Sequence, residues 1–193
     1  MRRILVFVSV AALGLSLAAR PAVAEESARW SAGALSDQRL FQMVADTVNR
    51  YVNFTIFDDI SASVENGVVT LSGKVTMPYK KSEIGRRVEK VDGVKELRNA
   101  IEVLPVSIFD DELRFRIARA IYRNPSFWQY AAMANPPIHI VVDRGHVTLS
   151  GVVATNVDRA LARSLASGFG EFSVTNNLKT DAEMRAAISE GHD

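Results

Sequence analysis

The side chains best suited to acid–base or metal chemistry in this chain are three histidines. His139 lies in an alternating apolar pattern that predicts a strand, His146 flanks the turn that follows, and His192 is close to the C-terminus. Strand pairing places His139 opposite Ser150, several residues along the hairpin from His146, so the two imidazoles are not expected to share a metal ion. We therefore predict no metal site and no cofactor.

Two pairs of neighbouring acids, Asp58-Asp59 and Asp110-Asp111, are the other candidates for catalysis. Adjacent side chains of an extended chain point to opposite sides, so neither pair is expected to converge on a substrate. Asp110 and Asp111 precede an amphipathic helix, whose N-terminus negative charge stabilises. The chain has no cysteine nucleophile and no nucleophile-elbow, phosphate-loop or dinucleotide motif. We predict that the protein is not an enzyme.

A stripe of arginines predicts a surface that binds anions. Arg116, Arg119 and Arg123 recur at i, i+3 and i+7 of the predicted helix 111–123, and the aromatic segment "NPSFWQY" follows at once. Guanidinium groups pair with phosphate, and Trp and Tyr favour the headgroup level of a bilayer. The predicted lipid-binding residues are Arg116, Arg119, Arg123, Phe127, Trp128 and Tyr130.

The same aromatic residues have an alternative interpretation as core. Phe115 and Tyr122 would then pack against the first half of the chain, and the "NPSFWQY" aromatics would cover the end of the second core. A further basic group is interleaved with Glu83 and Glu89, which favours a solvated, salt-bridged helix face. Its members are Lys80, Lys81, Arg86, Arg87 and Lys90.

The elements that must position these residues are marked by a repeated string. "VTLSG" occurs at 69–73 and again at 147–151, each time in the second arm of a predicted hairpin. Asn66-Gly67 and Arg144-Gly145 form the turns, and apolar residues alternate on both sides. The alternation of each strand places Gly73 and Gly151 on its inward-facing side, where the missing side chain lets another backbone approach closely.

The repeat extends well beyond this string. The helical core stripe of residues 40–48 recurs 73 positions later, and the second helix and last strand recur 77 positions later, so the offset changes only in connections. Each copy reads helix, strand, strand, helix, strand. The predicted fold class is α+β: two tandem αββαβ sandwich units, each a three-stranded sheet with two helices on one face.

The N-terminus has the pattern of a secretory signal peptide. Arg2 and Arg3 precede an apolar run, and "AVA" at 22–24 fits a cleavage site. We predict cleavage after Ala24 and export to the periplasm, without lipidation because no cysteine follows the site. Loss of residues 1–24 leaves 20 basic and 22 acidic residues, a formal charge of −2. This balance gives no bulk attraction to nucleic acid.

The predicted organisation is a signal peptide at 1–24, a linker at 25–35, units at 36–104 and 109–181, and a loosely ordered tail at 182–193. A short apolar connection, "LPVSIF" (104–109), joins the units. Ala182 to Ile188 could add one or two helical turns.

The quoted motifs resemble those of the BON domain, the module named for bacterial osmotically induced and nodulation proteins. "NGVVTLSGKV" (66–75) and "GHVTLSGVV" (145–153) carry the resemblance, together with "PPIHIVV" (136–142) and "FSVTNNL" (172–178). The chain departs at Glu171, where the family usually has an apolar residue. Either Phe172 takes over the core contact or the last strand starts in shifted register.

This resemblance implies a periplasmic, non-enzymatic module. It implies binding to phospholipid surfaces or to envelope proteins, and the arginine stripe makes an anionic phospholipid surface the predicted partner. The alternative to lipid binding is a protein-interaction or osmotic-stress protective module that docks through its sheet edges. The sequence leaves the oligomeric state open.

Overall fold

The computed structural model describes the backbone of residues 22–190 and the side chains of residues 36–186. Residues 1–21 of the predicted signal segment, and His192, lie outside the described residues. Helix α1 (Ala22–Asn49) runs through residues 25–35. A loosely ordered linker was predicted there, whereas the structure continues the helix through these residues. Across the described part of the chain, no helix is both long and apolar enough to cross a membrane.

The first unit is a sheet covered by two helices on one face. Its remaining elements are β1 (Asp59–Glu65), β2 (Val68–Val75), α2 (Pro78–Val88), β3 (Glu96–Asn99) and β4 (Glu102–Val103). Strand β2 is central: β1 pairs with it antiparallel, and β3 and β4 pair with it in parallel on the other side. The predicted helical stripe is buried, and α1, α2 and β2 share one core.

The second unit repeats this order after a short insertion. Its elements are α3 (Ile108–Tyr122), a 3-10 turn (Pro125–Phe127), α4 (Trp128–Ala131), β5 (Ile138–Asp143), β6 (His146–Val153), α5 (Asn156–Leu165), β7 (Ser173–Asn176) and β8 (Lys179–Thr180). Strand β6 is central, between β5 and the β7–β8 pair. The duplicated αββαβ architecture predicted from the sequence is confirmed.

The closing strand of each unit is divided into two segments rather than continuous. In the first unit the Asn99 side chain donates to the Lys81 carbonyl at 3.0 Å and accepts from the Ile101 amide at 3.3 Å. These bonds tie the strand to helix α2 and turn the backbone locally, as in a bulge. Asn176 makes a similar pair of bonds in the second unit. The asparagine of the motif is therefore structural.

Both hairpin turns have positive φ at their two central residues: 53° at Asn66, 82° at Gly67, 52° at Arg144 and 77° at Gly145. This is the type I′ geometry that matches the twist of paired strands. The predicted turns are confirmed. An arginine in this conformation is unusual and needs support from elsewhere in the structure.

An aspartate from the preceding helix supports each turn. Asp110 accepts hydrogen bonds from the amides of Arg144 at 2.9 Å and Gly145 at 2.8 Å, and Asp37 does the same for the first turn. Asp110 was predicted to precede α3 and stabilise its N-terminus. It lies inside the first turn, and Ser107 is the N-cap. The main role of the Asp110 carboxylate is to hold the hairpin.

The inward glycines allow close backbone contact, as predicted. Gly73 has φ +112°, and an added Cβ would lie 2.1 Å from the Asp59 carbonyl oxygen. Gly151 has φ +108°, and a Cβ would lie 1.8 Å from the Pro137 carbonyl oxygen. No other residue type fits such positions without moving the facing strand.

Glu171 is accommodated without either of the two predicted adjustments. Its carboxylate accepts from the amides of Gly168 and Phe169, each at 2.8 Å. Phe172 is 75% exposed and takes no core position, whereas Phe169 packs against the core. Val174 of β7 lies opposite Val147 as Leu97 lies opposite Val69, so the register is unshifted.

The two units have separate cores that meet through the segment before β1. The amide of Ile140 on β5 donates to the Ile56 carbonyl at 2.7 Å, and Phe57 packs against the second core. The first unit therefore partly covers the outer edge of β5, one of the sheet edges considered for partner docking.

The C-terminal segment predicted to be a loose tail forms helix α6 (Asp181–Glu190). Glu183 anchors it, accepting from the Thr180 amide at 2.9 Å and pairing with Arg159 of α5 at 2.9 Å. These bonds explain why the helix is longer than the one or two turns expected.

Candidate membrane-contact site

Helix α3 separates a buried stripe from a basic one. Ser107 accepts from the Asp110 amide and begins the helix, and Leu113, Ile117 and Ile121 point into the second core. The predicted lipid-contact arginines, Arg116, Arg119 and Arg123, are all exposed. The helix therefore presents three guanidinium groups to solvent, as its periodicity predicted.

Two of these arginines have no acidic partner among the described side chains. Arg116 lies 3.4 Å from Glu112, in an exposed i,i+4 pair. Among the side chains that the structure describes, no carboxylate lies within ion-pair distance of Arg119 or Arg123, and the Arg119 Nε donates only to the Phe115 carbonyl at 3.3 Å. Their charge is available to an external anion.

Arg114 of the same helix has a different role. It is buried, donates to the Val142 carbonyl at 2.6 Å and pairs with Asp111. Only its Nε has no hydrogen-bond partner among the described residues. Arg114 joins α3 to the second hairpin and is unavailable for a surface contact.

The predicted lipid-binding aromatics divide into buried and exposed residues. Phe127 is fully buried and Tyr130 nearly so, and their rings stack 5.9 Å apart. Tyr130 also accepts from the Ala154 amide at 2.9 Å. Assignment of these two residues to a membrane surface was wrong, because the 3-10 turn and α4 direct positions 127 and 130 into the core. Trp128, between them, is 72% exposed.

Phe115 and Tyr122 also differ from each other. Phe115 is 55% exposed although its ring contacts that of Phe57 edge-on at 5.2 Å. Tyr122 is half-buried and donates to the Ile138 carbonyl at 2.5 Å, and burial raises the pKa of its phenol above the ordinary value. Of the aromatic residues that adjoin the arginines in sequence, Phe115 and Trp128 are therefore the exposed ones.

The side chains singled out for possible catalysis have structural partners. His139 lies between the units with Nδ1 2.6 Å from the Asp58 carbonyl oxygen, and His146 Nδ1 lies 2.8 Å from Ser173 Oγ. Within the described range, no three His, Cys, Asp or Glu side chains are grouped as a metal ion would require. Thr155 and Asp158 form a capping box at the start of α5.

One member of the second basic group is not on a solvated face. Lys80 is 4% exposed and its Nζ lies 2.6 Å from Asp58 Oδ2. Glu83 of the same helix accepts from Tyr51 at 2.6 Å, and Arg87 lies over the Tyr51 ring. The predicted salt-bridged face is therefore replaced in part by contacts to the connection between α1 and β1.

A cleft between the two sheets contains a contact that the sequence did not predict. Lys74 Nζ lies 2.5 Å from Asp143 Oδ2, and this contact lowers the pKa of the Asp143 carboxyl against a smaller effect of burial. The cleft has a volume of about 440 Å³ and is also lined by Arg144 and Thr148. No sequence pattern relates Lys74 to Asp143, because their distance depends on how the units dock.

The fold defines a class: a duplicated α+β protein, whose candidate site among the described residues is a basic and partly apolar surface. The chain belongs to the BON-domain family, which matches residues 36–105 and 109–182. BON domains are known for binding roles at the bacterial envelope.

Comparison with individual proteins adds little to this assignment. No curated protein is significantly similar to the chain. One structure of CdsD, a structural protein of the type III secretion system of Chlamydia trachomatis, is 13% identical over 87% of this chain and 80% of its own, with a TM-score of 0.31. A structure of the CdsD C-terminal domain is also 13% identical, over 63% of this chain and 56% of its own, with a TM-score of 0.27.

Proposed function

We propose that this protein binds anionic phospholipid surfaces at the periplasmic side of the envelope, without enzymatic activity. The contact is made by Arg116, Arg119 and Arg123 together with Phe115 and Trp128. The main support is that Arg119 and Arg123 are exposed and have no acidic partner among the described residues. The exposed ring of Phe115 lies beside them.

The chemistry of this surface suits lipid headgroups. A guanidinium group donates two parallel hydrogen bonds to a phosphate, which an ammonium group cannot do. Each basic side chain near an anionic surface contributes about 1 kcal/mol of attraction. Trp128 can lie at the headgroup level, with its ring against the upper acyl chains and its N–H in water. The contact is therefore expected to weaken with added salt.

Co-sedimentation with vesicles of phosphatidylglycerol and phosphatidylcholine tests the proposal. Changing Arg116, Arg119 and Arg123 together to Glu is expected to abolish binding. The carboxylates repel the lipid phosphates and cannot donate hydrogen bonds to them. A control with Arg86, Lys90 and Arg163 changed to Glu has the same net charge and alters exposed residues elsewhere. Binding that survives the first triple change, or that both variants lose equally, would exclude this site.

A second candidate function is docking of an envelope protein through a sheet edge. Strands β3 and β7 lie at the outer ends of their sheets, with four residues each. The exposed connector residues Val106 and Ile108, 97% and 80% exposed, add apolar surface that a protein partner could cover. A stoichiometric envelope partner lost on changing Thr175 to Pro, without any vesicle binding, would favour this function.

The compartment can be tested independently. The N-terminal pattern of 1–24 supports export. Osmotic shock should release the protein with the periplasmic fraction, with Glu25 at its N-terminus. Recovery of a protein that keeps residues 1–24 would contradict the predicted cleavage.

A further inference from the structure

An open groove lies where the first unit meets helix α3. Ile56 and Phe57 form one wall, and the other carries Phe115, Ala118 and Tyr122. The groove has a volume of about 550 Å³, within the range of roughly 300–1,000 Å³ that is usual for small-molecule sites. Because its walls come from both units, it exists only in the tandem arrangement.

The walls of the groove are almost entirely apolar. Phe57 and Phe115 meet edge-on at 5.2 Å but do not close over each other, which leaves Phe115 55% exposed. The Tyr122 hydroxyl is turned away to the Ile138 carbonyl, so the phenol contributes mainly its ring. An occupant that matches these walls is a hydrocarbon chain.

The rim of the groove is cationic. Arg119 and Arg123 line it, and among the described side chains neither is paired with a carboxylate. On helix α3 these positions are one turn apart, and Arg119 is also one turn from Phe115. Two unpaired guanidinium groups at the mouth of an apolar groove complement an anionic head attached to an apolar tail.

We propose that this groove binds one acyl chain of a single anionic lipid, with the lipid's head held by Arg119 and Arg123. This inference rests on the proposed function and makes it more specific: the protein takes up an individual lipid chain in addition to lying on a charged surface. The first unit then contributes directly to binding, through Ile56 and Phe57.

Equilibrium dialysis of the full exported chain tests the groove, with myristoyl lysophosphatidylglycerol kept below its micelle-forming concentration. We expect saturable binding of one lipid per chain. Ala118→Phe fills the groove and is expected to weaken binding about tenfold or more, as is Phe115→Ser, which removes one wall from an exposed position. Arg163→Gln, an exposed change on α5, should leave affinity within about twofold. Myristate in place of the lysolipid shows whether the arginines require a phosphate head.

Several results would contradict the proposal that the groove binds a lipid. These are non-saturable binding by the unchanged chain, or affinity that is the same in Ala118→Phe and Phe115→Ser as in Arg163→Gln. Thermal unfolding of each variant identifies any loss that is due to misfolding, and Phe115→Ser is the decisive variant if Ala118→Phe is unstable. Vesicle binding measured in parallel separates the two proposals. If the protein binds vesicles but no single lipid, membrane-surface binding is supported and lipid binding in the groove is contradicted.

Discussion

Lys80 Nζ lies 2.6 Å from Asp58 Oδ2, and both side chains are almost completely buried at the junction of the two units. Asp58 also accepts from the amides and hydroxyls of Thr55 and Thr76. The carboxylate is therefore fully hydrogen-bonded, and its own backbone carbonyl contacts His139 of the second unit. The loop between α1 and β1, which contacts the second unit, is built around this ion pair.

Removing the cation from this pair should be strongly destabilising. Lys80→Met leaves a buried carboxylate without its counter-charge, which typically costs about 3–5 kcal/mol. Urea unfolding measures the loss, and Lys90→Met, at an exposed position of the same region, is the control. A loss below about 1 kcal/mol would show that Thr55 and Thr76 are sufficient partners.

The same pair predicts how stability depends on pH. Burial by itself raises the pKa of the Asp58 carboxyl, but hydrogen bonds from Lys80, Thr55 and Thr76 outweigh burial and hold the pKa below its ordinary value. A lowered pKa contributes stability above the unfolded value of about 3.9, and this stability is lost as pH falls through the folded value. We expect unfolding free energy to decrease below about pH 4, and the Asp58 part of this decrease to be smaller in Lys80→Met, because loss of the cation raises the folded-state pKa of Asp58 towards or above its unfolded value. Identical acid profiles of the two proteins would contradict this.

Gly151 and Gly168 provide a matched test of close backbone approach. Both have positive φ, +108° and +94°, but a Cβ at Gly151 would lie 1.8 Å from the Pro137 carbonyl oxygen, whereas nothing lies within 4 Å at Gly168. Gly168→Ala should therefore cost only backbone strain, about 1–2 kcal/mol. Gly151→Ala adds overpacking and should cost roughly 2–6 kcal/mol in total. Equal melting temperatures for the two variants would be inconsistent with the described strand pairing.

Phe127 and Trp128 are neighbours with opposite expected roles. Phe127 is fully buried, so Phe127→Ala should destabilise the second unit by about 3–5 kcal/mol. Trp128 is 72% exposed, so Trp128→Ala should change stability by no more than about 0.5 kcal/mol and reduce vesicle affinity. Chemical denaturation and vesicle sedimentation of both variants separate the roles. A stable Phe127→Ala protein with lost vesicle binding would reverse the assignment.

Asp110 should contribute to stability through the second hairpin. In Asp110→Asn one of the two acceptor oxygens becomes an NH2 group facing the amide of Arg144 or Gly145, and the charge is lost. Leaving a buried donor unsatisfied costs about 1–3 kcal/mol. Hydrogen exchange at the Arg144 and Gly145 amides should accelerate in the variant. Unchanged exchange would indicate that the turn holds without the aspartate.

The repeat, the two turns and the buried stripe of α1 could be predicted because each depends on residues close in sequence. A type I′ turn needs positive φ at two adjacent positions, and Asn66-Gly67 indicates that need directly. The inward glycines could be predicted for the same reason, because the alternation of each strand sets which way they face. The predictions of a linker at 25–35 and a loose tail beyond Asp181 did not anticipate the helices found there, because polar segments of this kind become helical once a neighbouring helix extends through them or a contact anchors them.

The candidate site was predicted only in part because exposure depends on what each side chain meets. Spacing on α3 was sufficient to place Arg116, Arg119 and Arg123 together, but it could not show that Phe127 turns inward while Trp128 turns outward. The sequence pattern predicts Lys80 to be a surface lysine, and only the tertiary structure shows that it is paired with Asp58.

The amino-acid sequence by itself determined that this chain is one αββαβ unit written twice, because local periodicity and turn chemistry set each element. Only the tertiary structure decided what lies between the copies. The Phe57–Phe115 groove and the Lys74–Asp143 contact join residues far apart in the chain. Their distances are set by the docking of two folded surfaces, which no local pattern encodes.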